Sequence, residues 1–206
     1  MQANPAFLDP VLAVESFVRP ALEGLGSRLG ALVFQISPLP PALLADPDRL
    51  LQRLAALLQA LPPLQPMAPD GVVAVEVRDA AWLTPAFAQV LREAGATYCL
   101  GLHPKLPPIA EQLPLLRDLW PGPLVCRWNL NRLHGAYGYA QAKGLYEPFD
   151  RLVDPDPDTR DVLARVIAGT TGSGHAAYVC INNKAEGSAP LSVQALAEAL
   201  ARRRSG

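Results

Sequence analysis

The stretch Val72-Val73-Ala74-Val75-Glu76-Val77-Arg78 decides how this sequence folds. It is β-branched and almost continuously apolar, so it reads as a strand covered on both faces, the habit of parallel sheets. Four other runs share that character, and the strands expected are 31–36, 72–77, 97–102, 124–128 and 177–182. Helical periodicity separates them. Asp46-Pro47 is an N-cap with proline at the first helical position, and leucines follow at 50, 51, 54, 57, 58 and 61. Thr84-Pro85 and Asp156-Pro157 repeat the signal, with Gly95 and Gly169 as the expected stops. Residues 9–25 read as a helix despite Pro20, and Pro114 shortens or kinks the segment 109–119. Residues 131–156 form a long connection with a weak helical pattern near 136–145, and Ser192 is expected to open the last helix. The order α(βα)₅ fits an open doubly wound sheet. It fits equally a (β/α)₈ barrel without its first three units.

The 206 residues suit one domain. With 50% hydrophobic and 18% charged residues the chain can bury a core, which excludes intrinsic disorder. The 22 prolines come in short bursts that punctuate a fold. No apolar run approaches the ~18 residues of a membrane span. Met1-Gln2-Ala3-Asn4-Pro5 lacks the pattern of a secretory leader, so a cytoplasmic protein with no membrane partner is expected. A net charge of −1 gives no electrostatic footprint for nucleic acid. Cys99, Cys126 and Cys180 lie far apart in apolar runs and are expected as reduced, buried thiols. His103, His134 and His175 are as scattered, so no metal site is expected and no cofactor is indicated.

Function is best sought where strands end in polar groups. Side chains two apart share a face, so Glu76 and Arg78 point one way, as do Arg127 and Asn129. Charges inside apolar strands are costly unless paired. Both candidate folds bind ligands at the carboxyl ends of their strands. Glu76 is therefore a candidate general acid or base, and Arg78, Arg127 and Asn129 are candidate ligand contacts. The competing reading is a buried ion-pair network that fixes packing. That network would join Glu76 to Arg127 or Arg78; taken singly, Arg78-Asp79 reads as a rim or loop contact, Gln35 as a satisfied core amide, and Cys126 and Cys180 as core packing. The loop after the last strand adds Asn182, Asn183, Lys184 and Ser188 as candidate binding groups ahead of a helix N-terminus. An ordinary βα turn explains it equally. His134-Gly135 in the long connection is a candidate acid or base without a nucleophile at any recognisable spacing. The glycines at 24, 26, 172 and 174 precede strands and read as αβ turns, while Asp154-Pro155-Asp156-Pro157-Asp158 reads as helix capping.

Several of these pieces resemble the YecE-like family of TIM-barrel proteins: Leu29-Gly30 leading into Phe34-Gln35, Val75-Glu76-Val77-Arg78 with Trp82, Arg127 followed by His134-Gly135, and Ile181-Asn182-Asn183. The resemblance runs from about Phe7 to about Ala201. It implies that the five strands are the last five of a barrel, in a single incomplete domain lacking the N-terminal three βα units. It supplies no reaction. Three departures stand out: residues 128–133 separate Arg127 from His134, Asp79 stands where the family often has histidine, and the family's opening segments have no counterpart. Two functions remain open. One is an enzyme site, of unknown reaction, that binds a small polar or anionic metabolite at the strand ends. The other is a non-catalytic remnant or binding module.

Five strands in an arc leave two unpaired edges. A missing N-terminal segment or self-association through those edges is therefore expected, and the chain alone should associate or melt at low temperature. Size-exclusion chromatography with thermal melting checks this, and a monomer with a cooperative, high-temperature melt counts against it.

Overall fold

The computed structural model describes residues 4–204. Met1–Ala3, on which the reading of the chain's start partly rests, lie outside the described residues. The strands fall where the apolar runs put them: β1 Ala31–Ile36, β2 Val72–Val77, β3 Thr97–Leu102, β4 Leu124–Trp128 and β5 Ala177–Ile181. All pairings are parallel and the order is β1-β2-β3-β4-β5. A doubly wound sheet reverses its order at a switch point. This one never does, so its helices stay on one side and the sheet curls into a half-barrel.

The two faces differ in size. Outward side chains such as Val75, Val77, Tyr98, Leu100, Cys126 and Trp128 form the main core with Leu54, Leu57, Phe87, Leu91, Leu163 and Ile167 of the surrounding helices. The concave face is lined by a smaller group, Ala74, Cys99 and Val125, with Ala31, Val33, Val72 and Tyr178 against it. Small inward residues let the arc close tightly. Tyr178 spans the floor of the arc: its hydroxyl donates to the Asp70 carbonyl at 3.0 Å, and its ring lies against Gly30. A Cβ on Gly30 would come 2.7 Å from that ring, so the close approach needs glycine.

Helix starts follow the capping signals. The side chains of Asp46, Thr84 and Asp156 accept from the backbone N–H groups of Arg49, Phe87 and Thr159. Gly95 closes the second of these helices at φ +65°. Residues 10–25 are helical as expected, and Pro20 is accommodated by a π-turn at Val14–Val18. There Arg19 bonds back to Val14, which widens the coil just ahead of the proline ring. Pro114 lies inside the short helix Ile109–Asp118. Two boundaries differ from expectation. The helix beginning at Pro157 continues past Gly169 to Gly172, because a glycine flanked by helix formers is tolerated. The last helix opens at Ala189, since Pro190 suits a first turn, and Ser192 is buried within it.

Among the described residues β1 pairs only with β2, and β5 only with β4. A groove of about 880 Å³ runs beside β1, lined by Phe7, Leu12, Phe17, Phe34 and Leu43 among others. On the other edge Cys180 is exposed, against expectation, because its side chain lies on the concave face where no further strand among the described residues covers it. Cys99 and Cys126 are buried. No helix among the described residues is long and apolar enough to cross a membrane.

The loop after β5 is fastened to residues 151–154. Val153 and Asp154 both donate to the Glu186 carbonyl, and Gly187 packs directly on that segment at φ +120°. A Cβ there would sit 2.5 Å from the Arg151 carbonyl oxygen. Gly187→Ala therefore meets both backbone strain and a clash with main chain, and should lower stability by at least about 2 kcal/mol in urea unfolding.

Candidate functional site

In-register neighbours in a parallel sheet point the same way, so Gln35 on β1 stands beside Glu76 on β2, and Arg127 on β4 shares the concave face with them. Glu76 is fully buried and both its oxygens are engaged. Oε1 lies 2.7 Å from Arg78 Nη2 and accepts from Asn129 Nδ2 at 3.2 Å. Oε2 contacts Arg127 Nη1. Asn129 is held in turn by donating to the Arg127 carbonyl. Gln35 is not the core amide expected. It is exposed, and its Oε1 accepts from Arg78 Nη2 at 3.2 Å and from Arg127 Nη1 at 3.1 Å. Arg78 is likewise no rim contact, because the Glu76 charge draws it inward until its side chain is 11% exposed. The neighbouring Asp79 makes the loop contact, accepting from the Leu39 N–H.

Two residues join this cluster that sequence reasoning did not assign to it. Tyr139, at the start of the helix Tyr139–Tyr146, accepts from Arg78 Nη1 at 3.4 Å. His103, one residue past β3, stacks on Tyr139 with ring centroids 5.5 Å apart. Its Nδ1 accepts the Lys105 N–H at 3.1 Å. Burial, then the cationic charge of Arg78, Lys105 and Arg132, lowers the His103 pKa to about 4. Burial alone would disfavour the Arg127 cation, but the Glu76 charge and hydrogen bond outweigh it and push that pKa up. Beneath the cluster, burial and then the Glu76 charge push the Cys99 thiol well up, so it stays protonated.

The remaining candidates lie elsewhere. His134 contacts the Tyr146 hydroxyl at 2.6 Å, which donates to Asp154 Oδ2 at 2.7 Å. This second cluster has no contact with Glu76 among the described residues. Burial, followed by the Asp154 bond, raises the Tyr146 pKa. Asn182 caps the turn Asn183–Ala185 through the Lys184 N–H, and Asn183 accepts from the Ala189 N–H. The Lys184 ammonium lies over the Phe149 ring at 5.9 Å. Buried Ser188 accepts from the Ser192 N–H through its carbonyl. These groups hold a loop together and make no contact with the Glu76 cluster among the described residues. Asp156 caps its helix as expected, and the described residues contain no group of three or more His, Cys, Asp or Glu side chains able to hold a metal.

The sequence profile of the family described as "Protein of unknown function DUF72" matches residues 7–206. The chain belongs to this family. It is the YecE-like family that the strand-end residues resemble. Among solved structures, two crystal structures of a DUF72 family protein from Enterococcus faecalis V583 share the fold. One is 14% identical with a TM-score of 0.52, covering 89% of this chain and 62% of that one. The other is 15% identical with a TM-score of 0.52, covering 93% and 68%. The DUF72 chain thus spans about 62% of the length of the first of them. A search of curated proteins gives no significant match.

The depressed His103 pKa makes stability depend on pH. Between about 4 and 6.5 the unfolded chain binds a proton at His103 that the folded chain refuses. Stability is then full above 6.5 and declines as pH falls towards 4. Urea unfolding at pH 7 and pH 5 should register the loss, and His103→Gln should reduce it.

Proposed function

We propose that this DUF72 protein binds a small polar or anionic metabolite at the carboxyl ends of its strands, with Arg127 as the principal anchor. One observation carries the reading. Arg127 Nη1 is occupied by Glu76 and Gln35, whereas Nη2 and Nε make no hydrogen bond among the described residues, and the side chain is 34% exposed. A guanidinium fixed on one edge and free on the other is prepared to take a carboxylate or phosphate through two parallel N–H bonds. Glu76, with both oxygens bound and no solvent exposure, serves as the positioning residue for two guanidiniums. Asn129 and Arg78 complete that support. The groups around Asn182, Asn183, Lys184 and Ser188 position the rim of the same end of the barrel. His134 belongs to a separate bonded set in the β4 connection.

Five of eight βα units would leave this site walled on one side only, and further strands beside β1 and β5 would enclose it. A second reading, a non-catalytic scaffold, draws support from the complete burial of Glu76. Calorimetric titration of the full chain with inorganic phosphate and with malate separates the two. Arg127→Gln should weaken binding at least tenfold, with a smaller loss of stability than Glu76→Gln because Arg78 still faces the carboxylate. Glu76→Gln should instead lower stability by about 3–5 kcal/mol, because it leaves two buried-side guanidiniums without their counter-charge. No binding of either probe by the unmodified chain would favour the scaffold.

A further inference from the structure

At the amino ends of the strands, opposite the Glu76 cluster, a cavity of about 200 Å³ opens between the helix Ile109–Asp118 and the helix Pro157–Gly172. Thr97 and Leu124, the first residues of β3 and β4, line its inner end and are buried. Its walls are apolar, with Leu113, Leu116 and Leu119 contributed by one helix and its end and Val166 by the other, all half-buried. An apolar cavity of about 150 Å³ already holds a benzene ring. This one has room for an aromatic ring with a short tail.

Three polar side chains share that space without a partner. Thr170 is 4% exposed and lines the cavity, yet its hydroxyl makes no hydrogen bond among the described residues, although buried hydroxyls are normally paired. Its neighbour Thr171 shows the ordinary arrangement, donating to the Ile167 carbonyl at 3.0 Å. Nor is the Thr170 hydroxyl among the sealed, unpartnered atoms of the interior, which are Arg78 Nε, Trp82 Nε1, Glu186 Oε2 and Ser192 Oγ. It is therefore reached from the cavity. Arg117 and Arg165 line the same cavity, are exposed, and have no guanidinium hydrogen bond or ion pair among the described residues. An arginine beside an apolar space lays its stem on the wall and keeps its charge in water. Asp118 and Asp161, the nearest acids along their helices, pair with neither, and no acidic residue lines the cavity among the described residues. Arg117 stands in a last helical turn, where a cation is favoured anyway. Arg165 lies in the interior of its helix and has no such reason to be there.

We propose that this cavity binds a small aromatic carboxylate that carries an oxygen on its ring. The ring fills the apolar interior, the carboxylate lies at the mouth with Arg117 and Arg165, and the Thr170 hydroxyl donates to the ring oxygen inside. A buried donor, an apolar middle and a cationic mouth match the polar far end, the body and the charge of such an acid. The site is independent of the reading of Arg127.

Trp120 supplies the readout, since it lines the cavity and is 50% exposed, whereas Trp82 and Trp128 are buried. In ¹H–¹⁵N spectra of the full chain, 3-(4-hydroxyphenyl)propanoate should move the Trp120 indole N–H signal in a saturable way and leave the other two in place. The corresponding alcohol, 4-(3-hydroxypropyl)phenol, should bind at least tenfold more weakly. The double substitution Arg117→Gln with Arg165→Gln should erase that difference. Thr170→Val removes a hydroxyl that holds nothing in the fold, and should weaken the hydroxylated acid about fivefold while leaving 3-phenylpropanoate unchanged. A Cβ on Gly169, which also lines the cavity, meets nothing within 4 Å. Gly169→Leu therefore grows a side chain into the open space and should remove binding of every probe, with no lower melting temperature because leucine is the better helix former. Absence of a saturable shift at Trp120, or a shift that survives Gly169→Leu, overturns the site. Equal binding of acid and alcohol overturns the ligand class, and a fivefold preference that persists in Thr170→Val overturns the role of that hydroxyl.

Discussion

A carboxylate without access to water is the constraint from which this end of the molecule is built. Glu76 sits in the middle strand of the first three, with Val75 and Val77 on either side, all fully buried. Burying such a charge alone would cost several kcal/mol. The structure meets that cost with two guanidiniums and an amide: Arg78 just past the end of the same strand, Arg127 in β4, and Asn129 just past the end of β4. Once they are in place, further features follow. Arg78 turns inward instead of reaching solvent, Gln35 acquires two donors to satisfy, and Tyr139 is held over the cluster as a platform for His103. The tips of β1, β2 and β4 are thereby joined through side chains as well as through the backbone ladder.

The concave face explains why that cluster assembles above the floor and not within it. Ala74, Cys99 and Val125 fill the lower level with little volume, so the strands approach and the longer side chains above them converge. The outward face carries the large residues and takes its stability from the helices. One sheet thus has two jobs separated by the two-residue period of a strand. The loops are divided in a similar way. Glu186 illustrates the structural kind, with its carbonyl receiving Val153 and Asp154 and its carboxylate receiving the Asp156 N–H and Arg160.

The strands were legible because a parallel sheet covered on both faces writes itself as unbroken apolar runs, and capped helix starts carry local signals such as Asp46-Pro47. Glu76, Arg127 and Asn129 were legible for a related reason, as charge or amide within such a run attracts notice. His103 was not. It follows Leu102 in a strand whose last residues are apolar, and its importance comes from Tyr139, which lies 36 positions on in a weakly periodic segment. His134 shows the converse. A lone loop histidine shows only that it could act as acid or base, and its partners Tyr146 and Asp154 lie 12 and 20 positions further on. Cys180 was misjudged because an apolar run reveals that a strand is covered, not which of its faces lacks a neighbour. Gly169 and Ser192 failed as boundaries since a single residue type rarely outweighs packing on either side.

Tyr178 has a mechanical corollary. Its hydroxyl and ring join β5 to the segment ahead of β2, so it acts as a bowstring across the arc, setting the curvature and the gap between the two free edges. A flatter sheet would have to release that string first. Any polypeptide filling the gap must accordingly fit a mouth of fixed width, and one that pried it wider would pull the Asp70 carbonyl away from its donor.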